Sequence, residues 1–209
     1  GGDRNRIAQI NPDGTIATFL NSGANALVQS LHIQPDGQIL AAGEFTTFDG
    51  QARGGLVRTS FIGSVDDSFT ANANGHVRCV TMQGDGKILA GGEFSQMNSV
   101  SRTRIARLYE NGKLEGAFNT TNVFFSRAGD PLSPHVYAFG VQPDQKVLVG
   151  GSFTYMASPD RFNLVRVDRR GFLDTTFTAS PNGTVRALAV LPDGKILVGG
   201  GSEYWGNDE

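Results

Sequence analysis

Cysteine is almost missing from this chain: Cys79 is the single one in 209 residues. One thiol excludes an internal disulfide and any cysteine-based zinc site. Charge of either sign is scarce too, at 18% of residues with a net charge of −2. Without a basic surplus there is nothing to neutralise a phosphate backbone, so nucleic acid is not expected as a partner. No apolar run approaches the roughly 20 residues that cross a bilayer, so no membrane insertion is expected. Helical periodicity is lacking throughout. The chain opens on Gly1-Gly2 with no methionine and no signal peptide, and reads as a piece of something longer. What is abundant is glycine, with 28 residues, against a hydrophobic share of 39% that suffices for a core.

The glycines recur in register. Gln34–Phe45 aligns with Gln83–Phe94, Gln142–Phe153 and Leu191–Gly200, at offsets of 49, 59 and 49 residues. A second element, Arg6–Ile10, aligns with Gly55–Thr59, Arg104–Leu108 and Asn163–Val167, at offsets of 49, 49 and 59. The ten extra residues therefore fall in one place, and 120–134 is an insertion in one unit. Such repetition is the first thing to settle in a sequence, because it decides the architecture.

Each unit carries four strand signals. Val185–Val190, a Pro-Asp-Gly turn and Lys195–Gly200 form one hairpin by spacing and turn chemistry. Leu164–Val167 and Phe172–Phe177 flank a second turn, whose glycine recurs as Gly14, Gly63, Gly112 and Gly171. The first strand has two apolar or small faces. Val28/Val77/Val136/Val185 and Ser30/Cys79/Ala138/Ala187 form one; Leu31/Val80/Phe139/Leu188 and Ile33/Met82/Val141/Val190 form the other. An antiparallel strand covered on both sides belongs in a stack of sheets. The expected fold is all-β. It is a β-propeller of four repeats of about 49 residues with four antiparallel strands each, over residues 1–209. A long-period β-solenoid is the rival, but neither end carries a capping unit. The units are 28–69, 77–118, 136–177, and a composite of 185–209 with 4–19. Pairing of these terminal halves would close the ring and remove two free sheet edges. Two alternatives stay open: membership of a larger ring, or two chains pairing to complete one.

The units resemble the delta-60 repeat family, through the stretch Gln83–Phe94 and the stretches Arg102–Phe118 and Arg161–Phe177. The likeness extends over nearly the whole chain in four copies. It implies a propeller fold and an extracellular or cell-surface setting in bacteria, and no catalytic residue set. Departures are Gln145 for the turn glycine, Ser202 for a phenylalanine, a deletion before Phe19, and the insertion.

Two sets of residues recur in every copy. Arg4, Arg53, Arg102 and Arg161 stand three residues before the third strand, and Asp36, Asp85, Asp144 and Asp193 stand at the first turn. The arginines could form a basic ring for an anionic ligand. A residue needed in every copy more often serves that copy's own fold, and the aspartates read as turn formers. Recognition belongs where copies differ. Gln29, Arg78, Tyr137 and Arg186 share one position at the start of the innermost strand and suit a binding mouth at the axis. The insertion, with Phe124, Phe125 and Arg127, is a second candidate contact surface.

Catalytic signals are few. His32, His76 and His135 lack metal-ligand spacing, and the metalloprotease, serine-hydrolase and calcium-loop motifs do not occur. No metal, cofactor or catalytic residue is expected. Glu44, Glu93 and Asp66-Asp67 read as solvated or turn carboxylates. The leading expectation is a non-catalytic binding or scaffolding module that takes a glycan or a protein. The alternatives are a propeller hydrolase or lyase acting on polysaccharide, which needs acids converging at the axis, and a structural spacer in a surface fibre. Oligomeric state is not legible.

Overall fold

Turn chemistry sets the strand pairs. In all four copies the aspartate of the first turn accepts a hydrogen bond from the backbone N–H two residues on. The distances run from 3.0 Å at Asp36 and Asp193 to 3.1 Å at Asp144 and 3.2 Å at Asp85. A computed structural model describes residues 5–17, 23–118, 134–155 and 161–201. The first full unit has β1 (Val28–Ile33), β2 (Ile39–Gly43), a small hairpin of β3 (Thr47–Phe48) and β4 (Gln51–Ala52), and β5 (Leu56–Thr59). The second repeats it as β6 (Val77–Met82), β7 (Ile88–Gly92), β8 (Gln96–Met97), β9 (Val100–Ser101) and β10 (Ile105–Leu108). The third merges the small hairpin into longer strands, β11 (His135–Val141), β12 (Val147–Tyr155) and β13 (Arg161–Val167). The last pair is β14 (Thr184–Val190) and β15 (Ile196–Gly201).

All pairings are antiparallel, in the orders β1-β2-β5, β6-β7-β10, β11-β12-β13 and β14-β15. No helix occurs among the described residues. The chain is thus all-β with propeller-like repeats. The expected fourth strand is only an isolated bridge in each copy: Ile10↔Ile16, Thr59↔Val65, Leu108↔Leu114 and Val167↔Leu173. Side-chain chemistry stops it. Asp66 and Asp174 accept from the N–H of Ser68 and Thr176, at 2.9 and 3.0 Å, and turn the chain away from the sheet.

The core lies between successive sheets. Leu40, Ala42 and Leu56 of the first pack with Val77, Val80 and Ile88 of the second. Cys79, Leu89 and Ile105 of the second pack with Val136, Val149 and Val165 of the third, and Leu148 and Leu164 pack with Val185 of the fourth. Phe45, Phe69, Phe94 and Phe118 are fully buried. The two end faces break the expectation of first strands covered on both sides. Leu31 and Ile33 of β1 are 55% and 70% exposed, and Ala187 and Ala189 of β14 are exposed too. No pairing joins β14–β15 to residues 5–17, so the sheet expected to zip the two ends is not seen among the described residues.

Candidate functional site

One irregularity occurs in all four first strands. The register between first and second strands slips between Val28 and Ser30, Val77 and Cys79, Val136 and Ala138, and Val185 and Ala187. The bulged residues are Gln29, Arg78, Tyr137 and Arg186, the four candidates for an axis mouth. A bulge inserts an unpaired residue and re-aims its side chain. Glycine makes it possible. A Cβ built on Gly43, Gly92, Gly151 or Gly200 would stand 2.0–2.1 Å from a carbonyl oxygen of the bulged strand's approach, at Leu27, His76, His135 and Thr184 respectively. The second glycine of each Gly-Gly pair is therefore required by the bulge.

The bulges gather a polar cluster. Arg78 donates from Nε to Glu93 and lies 3.2 Å from Glu44 through Nη1. Gln29 Nε2 donates to Glu44 at 3.4 Å. His135 Nε2 is 3.1 Å from Glu93 Oε1, and His76 Nδ1 is 3.5 Å from Glu93 Oε2. The His135 ring stacks on Tyr137, with centroids 5.6 Å apart and planes 14° from parallel. The guanidinium carbon of Arg186 lies 4.9 Å from the Tyr137 ring centroid, and that of Arg78 6.0 Å.

Burial pushes the His135 imidazole below its usual range; Glu93 opposes this, and Arg78 and Arg104 add to it. The neutral ring gives its Nε2 proton to Glu93, which leaves buried Nδ1 as a bare acceptor with no partner among the described residues. The charges of Glu44, Glu93 and Arg78 are spent on one another. Arg186 is exposed and has no carboxylate within ion-pair distance among the described residues. A cleft of about 340 Å³ opens beside the cluster, between Glu44–Thr46, Gly54–Gly55 and Ala73–His76.

A larger cavity, about 540 Å³, lies between Arg58, Asp85–Lys87 and Tyr109–Asn111. Its cations are already taken. Arg58 pairs with Asp66 at 2.7 Å, and Lys87 with Asp85 and Glu115 at 3.2 and 3.3 Å. The bulge cluster is the better candidate because its Arg186 guanidinium is exposed and has no carboxylate within ion-pair distance among the described residues.

The recurring arginines sit elsewhere. Arg53 pairs with Asp67 at 2.7 Å and also donates to Gln51 and Ala52 of its own hairpin. Arg102 is buried and donates to the Ser101 carbonyl at 2.8 Å. Arg161 is buried as well. These three do not converge on the mouth; Arg4, and Phe124, Phe125 and Arg127 of the insertion, lie outside the described residues. Sequence reasoning set aside Glu44, Glu93, His76 and His135, all of which join the cluster. The signal was present: the position after the second glycine reads Glu44, Glu93, Ser152 and Gly201, so the copies differ there as they do at the bulge.

A family model described as a domain of unknown function (DUF5122) beta-propeller matches residues 34–69, 83–118 and 142–177. Comparison with curated proteins gave no match. Among solved structures, a virginiamycin B lyase from Staphylococcus aureus is similar at 10% identity and a TM-score of 0.42; the alignment covers 84% of this chain and 65% of that one. This chain thus spans slightly less than two thirds of the lyase. A glucose dehydrogenase-type protein from Thermus thermophilus is similar at 15% identity and a TM-score of 0.44, over 90% of this chain and 82% of that one. A protein of unknown function from Bacteroides caccae is similar at 14% identity and a TM-score of 0.34, over 87% and 78%.

Proposed function

The chain belongs to the DUF5122 beta-propeller family, and on that premise we propose that it is a non-catalytic binding module that holds a glycan at the axis-end cluster. One observation carries this reading: Tyr137 presents a ring capped by Arg186 at 4.9 Å, and that guanidinium has no acid of its own among the described residues. A guanidinium fork with no acid partner receives a carboxylate, and the Tyr137 ring beside it steadies the fork. The exposed Gln29 amide adds an adaptable donor and acceptor for hydroxyls. The ligand class is therefore a sugar chain bearing carboxylates. The delta-60 likeness, the four-repeat count with its split last unit, and the bacterial surface setting belong to the same proposal.

The test is a glycan array on the purified chain, followed by calorimetry on the hits. Uronate-containing glycans are expected to bind, and Tyr137→Ala or Arg186→Ala to weaken them about tenfold or more. A blank array, or hits that ignore both substitutions, overturns the reading. Binding to polypeptides alone would replace glycan by protein.

A second reading has one observation in its favour. Glu44 and Glu93 converge on Arg78, and Glu93 orients a neutral histidine. Paired acids with an oriented base suit a hydrolase or lyase of polysaccharide. Release of reducing ends or unsaturated sugars from an array hit, lost in Glu93→Gln, would establish it over binding alone.

A further inference from the structure

In the first three units, the first and last turns lie at one end of the sheet, because Ile39 pairs with Thr59, Ile88 with Leu108 and Val147 with Val167. The bulge is at the other end: Arg78 stands near the start of β6, and Asp85 in the turn after it. At the turn end, the gap between neighbouring sheets occurs in two versions. Between the first and second sheets it is the cavity of about 540 Å³ lined by Arg58, Asp85–Lys87 and Tyr109–Asn111. Between the second and third, the aligned residues are Arg107, Asp144–Lys146 and Asp168–Arg170.

Two side chains bridge the second gap. Gln145 stands where the first gap has Gly86, and its Nε2 lies 3.4 Å from where a Cβ on Gly84 would be. Arg169 stands where the first gap has Glu110, and its Nε donates to the Asp144 carbonyl at 3.1 Å. The chain thus seats a guanidinium of its own across these two turns.

The first gap lacks both side chains. A Cβ on Gly86 would meet nothing within 4 Å. Glu110 brings a carboxylate where Arg169 brings a guanidinium, and it is exposed with no ion-pair partner among the described residues. The Asp85 carbonyl, counterpart of the Asp144 acceptor, receives no hydrogen bond among the described residues. Tyr109 replaces Asp168 and leaves its ring 47% exposed. The cations of the gap are committed to other groups. Arg58 pairs with Asp66 and donates to the Glu110 carbonyl at 2.6 Å, and Lys87 lies between Asp85 and Glu115. What remains is an acid, a carbonyl and an aromatic ring, which is a receptor for a cation.

We propose that this cavity receives an arginine side chain of a polypeptide partner. The incoming guanidinium takes the place that Arg169 holds in the next gap. It donates to the Asp85 carbonyl, pairs with the Glu110 carboxylate and lies against the Tyr109 ring. The volume far exceeds one guanidinium and its stem, so the residues on either side of the arginine fit as well.

Amide chemical-shift mapping tests this with a blocked peptide, Gly-Gly-Arg-Gly-Gly, and its citrulline analogue, which keeps the shape and loses the charge. The arginine peptide is expected to shift Asp85–Lys87 and Tyr109–Asn111, and the citrulline peptide to bind about tenfold more weakly or worse. Glu110→Arg gives this gap the residue of the next one and should abolish the shifts. Glu110→Gln should weaken binding about tenfold. Glu110 is exposed, so both variants should keep the circular dichroism of the parent. The expected shifts fall at the far end of the sheets from the bulges, so this result is independent of the glycan reading. Equal binding of the two peptides, shifts that survive Glu110→Arg, or shifts at the four bulges instead would overturn the proposal. So would a chitosan oligosaccharide that shifts the turn amides when the arginine peptide does not.

Discussion

Gly43, Gly92, Gly151 and Gly200 shape the mouth more directly than any polar residue does. With a Cβ 2.1 Å from the His76 carbonyl, Gly92→Ala must undo the bulge that aims Arg78. The expected loss is about 2–4 kcal/mol in chemical denaturation, together with loss of ligand binding. Gly116→Ala meets nothing within 4 Å and should change stability by less than about 0.5 kcal/mol. Gln145 makes the opposite case. It holds φ at 66° where three copies have glycine, so Gln145→Gly should stabilise by up to about 1 kcal/mol, measured the same way. The Gly-Gly pairs were legible as signs of close packing. Only the first glycine of a pair, at Gly91 and Gly150, faces the next sheet; the role of the second needs the bulge, which no residue pattern announces.

At the scale of the element, the third strands β5, β10 and β13 are each tied to their terminal bridge by a stack of arginine, acid and phenylalanine. Arg58, Arg107 and Arg166 pair with Asp66, Glu115 and Asp174, and lie 5.0, 4.3 and 4.9 Å from the rings of Phe69, Phe118 and Phe177. Removing the guanidinium leaves buried Glu115 with Lys87 at 3.3 Å as its remaining ion-pair partner, so Arg107→Ala should cost about 1–3 kcal/mol in chemical denaturation. All three acids titrate below their ordinary values. Burial raises Asp66 and Glu115, but hydrogen bonds from Ser68 and Arg58, and from Arg107 and Lys87, more than offset it. The Lys146 and Thr176 hydrogen bonds hold Asp174 well below the carboxylate range. Depressed acids stabilise the fold fully above their unfolded values and lose that contribution as pH falls through their folded ones. Stability should therefore fall steadily below about pH 4, as urea titrations at pH 7 and pH 3 would show; equal midpoints would contradict it. The main strands were readable from turns and alternation. The β3–β4 hairpin went unread although Asp49-Gly50, with φ of 51° and 71°, is a strong turn signal, because two-residue strands leave no alternation to see.

For the whole molecule, the repeat spacing determined the order of the sheets and the stacking of one on the next. It could not determine how the ends meet. Ile7–Ile10 aligns with segments of the third strands β5, β10 and β13, yet among the described residues no strand pairs with the outer edge of β15. The mouth was half legible for a related reason. Variation at Gln29, Arg78, Tyr137 and Arg186 could be read copy against copy, whereas the convergence of Glu44, Glu93 and His135 from different units needed the stack itself. Amide chemical-shift mapping with a uronate oligosaccharide tests the mouth most directly. The predicted shifts cluster at the four bulges and at Glu44, Glu93 and His135; shifts confined to the cavity between Arg58, Lys87 and Glu110, or no shifts at all, would contradict the account.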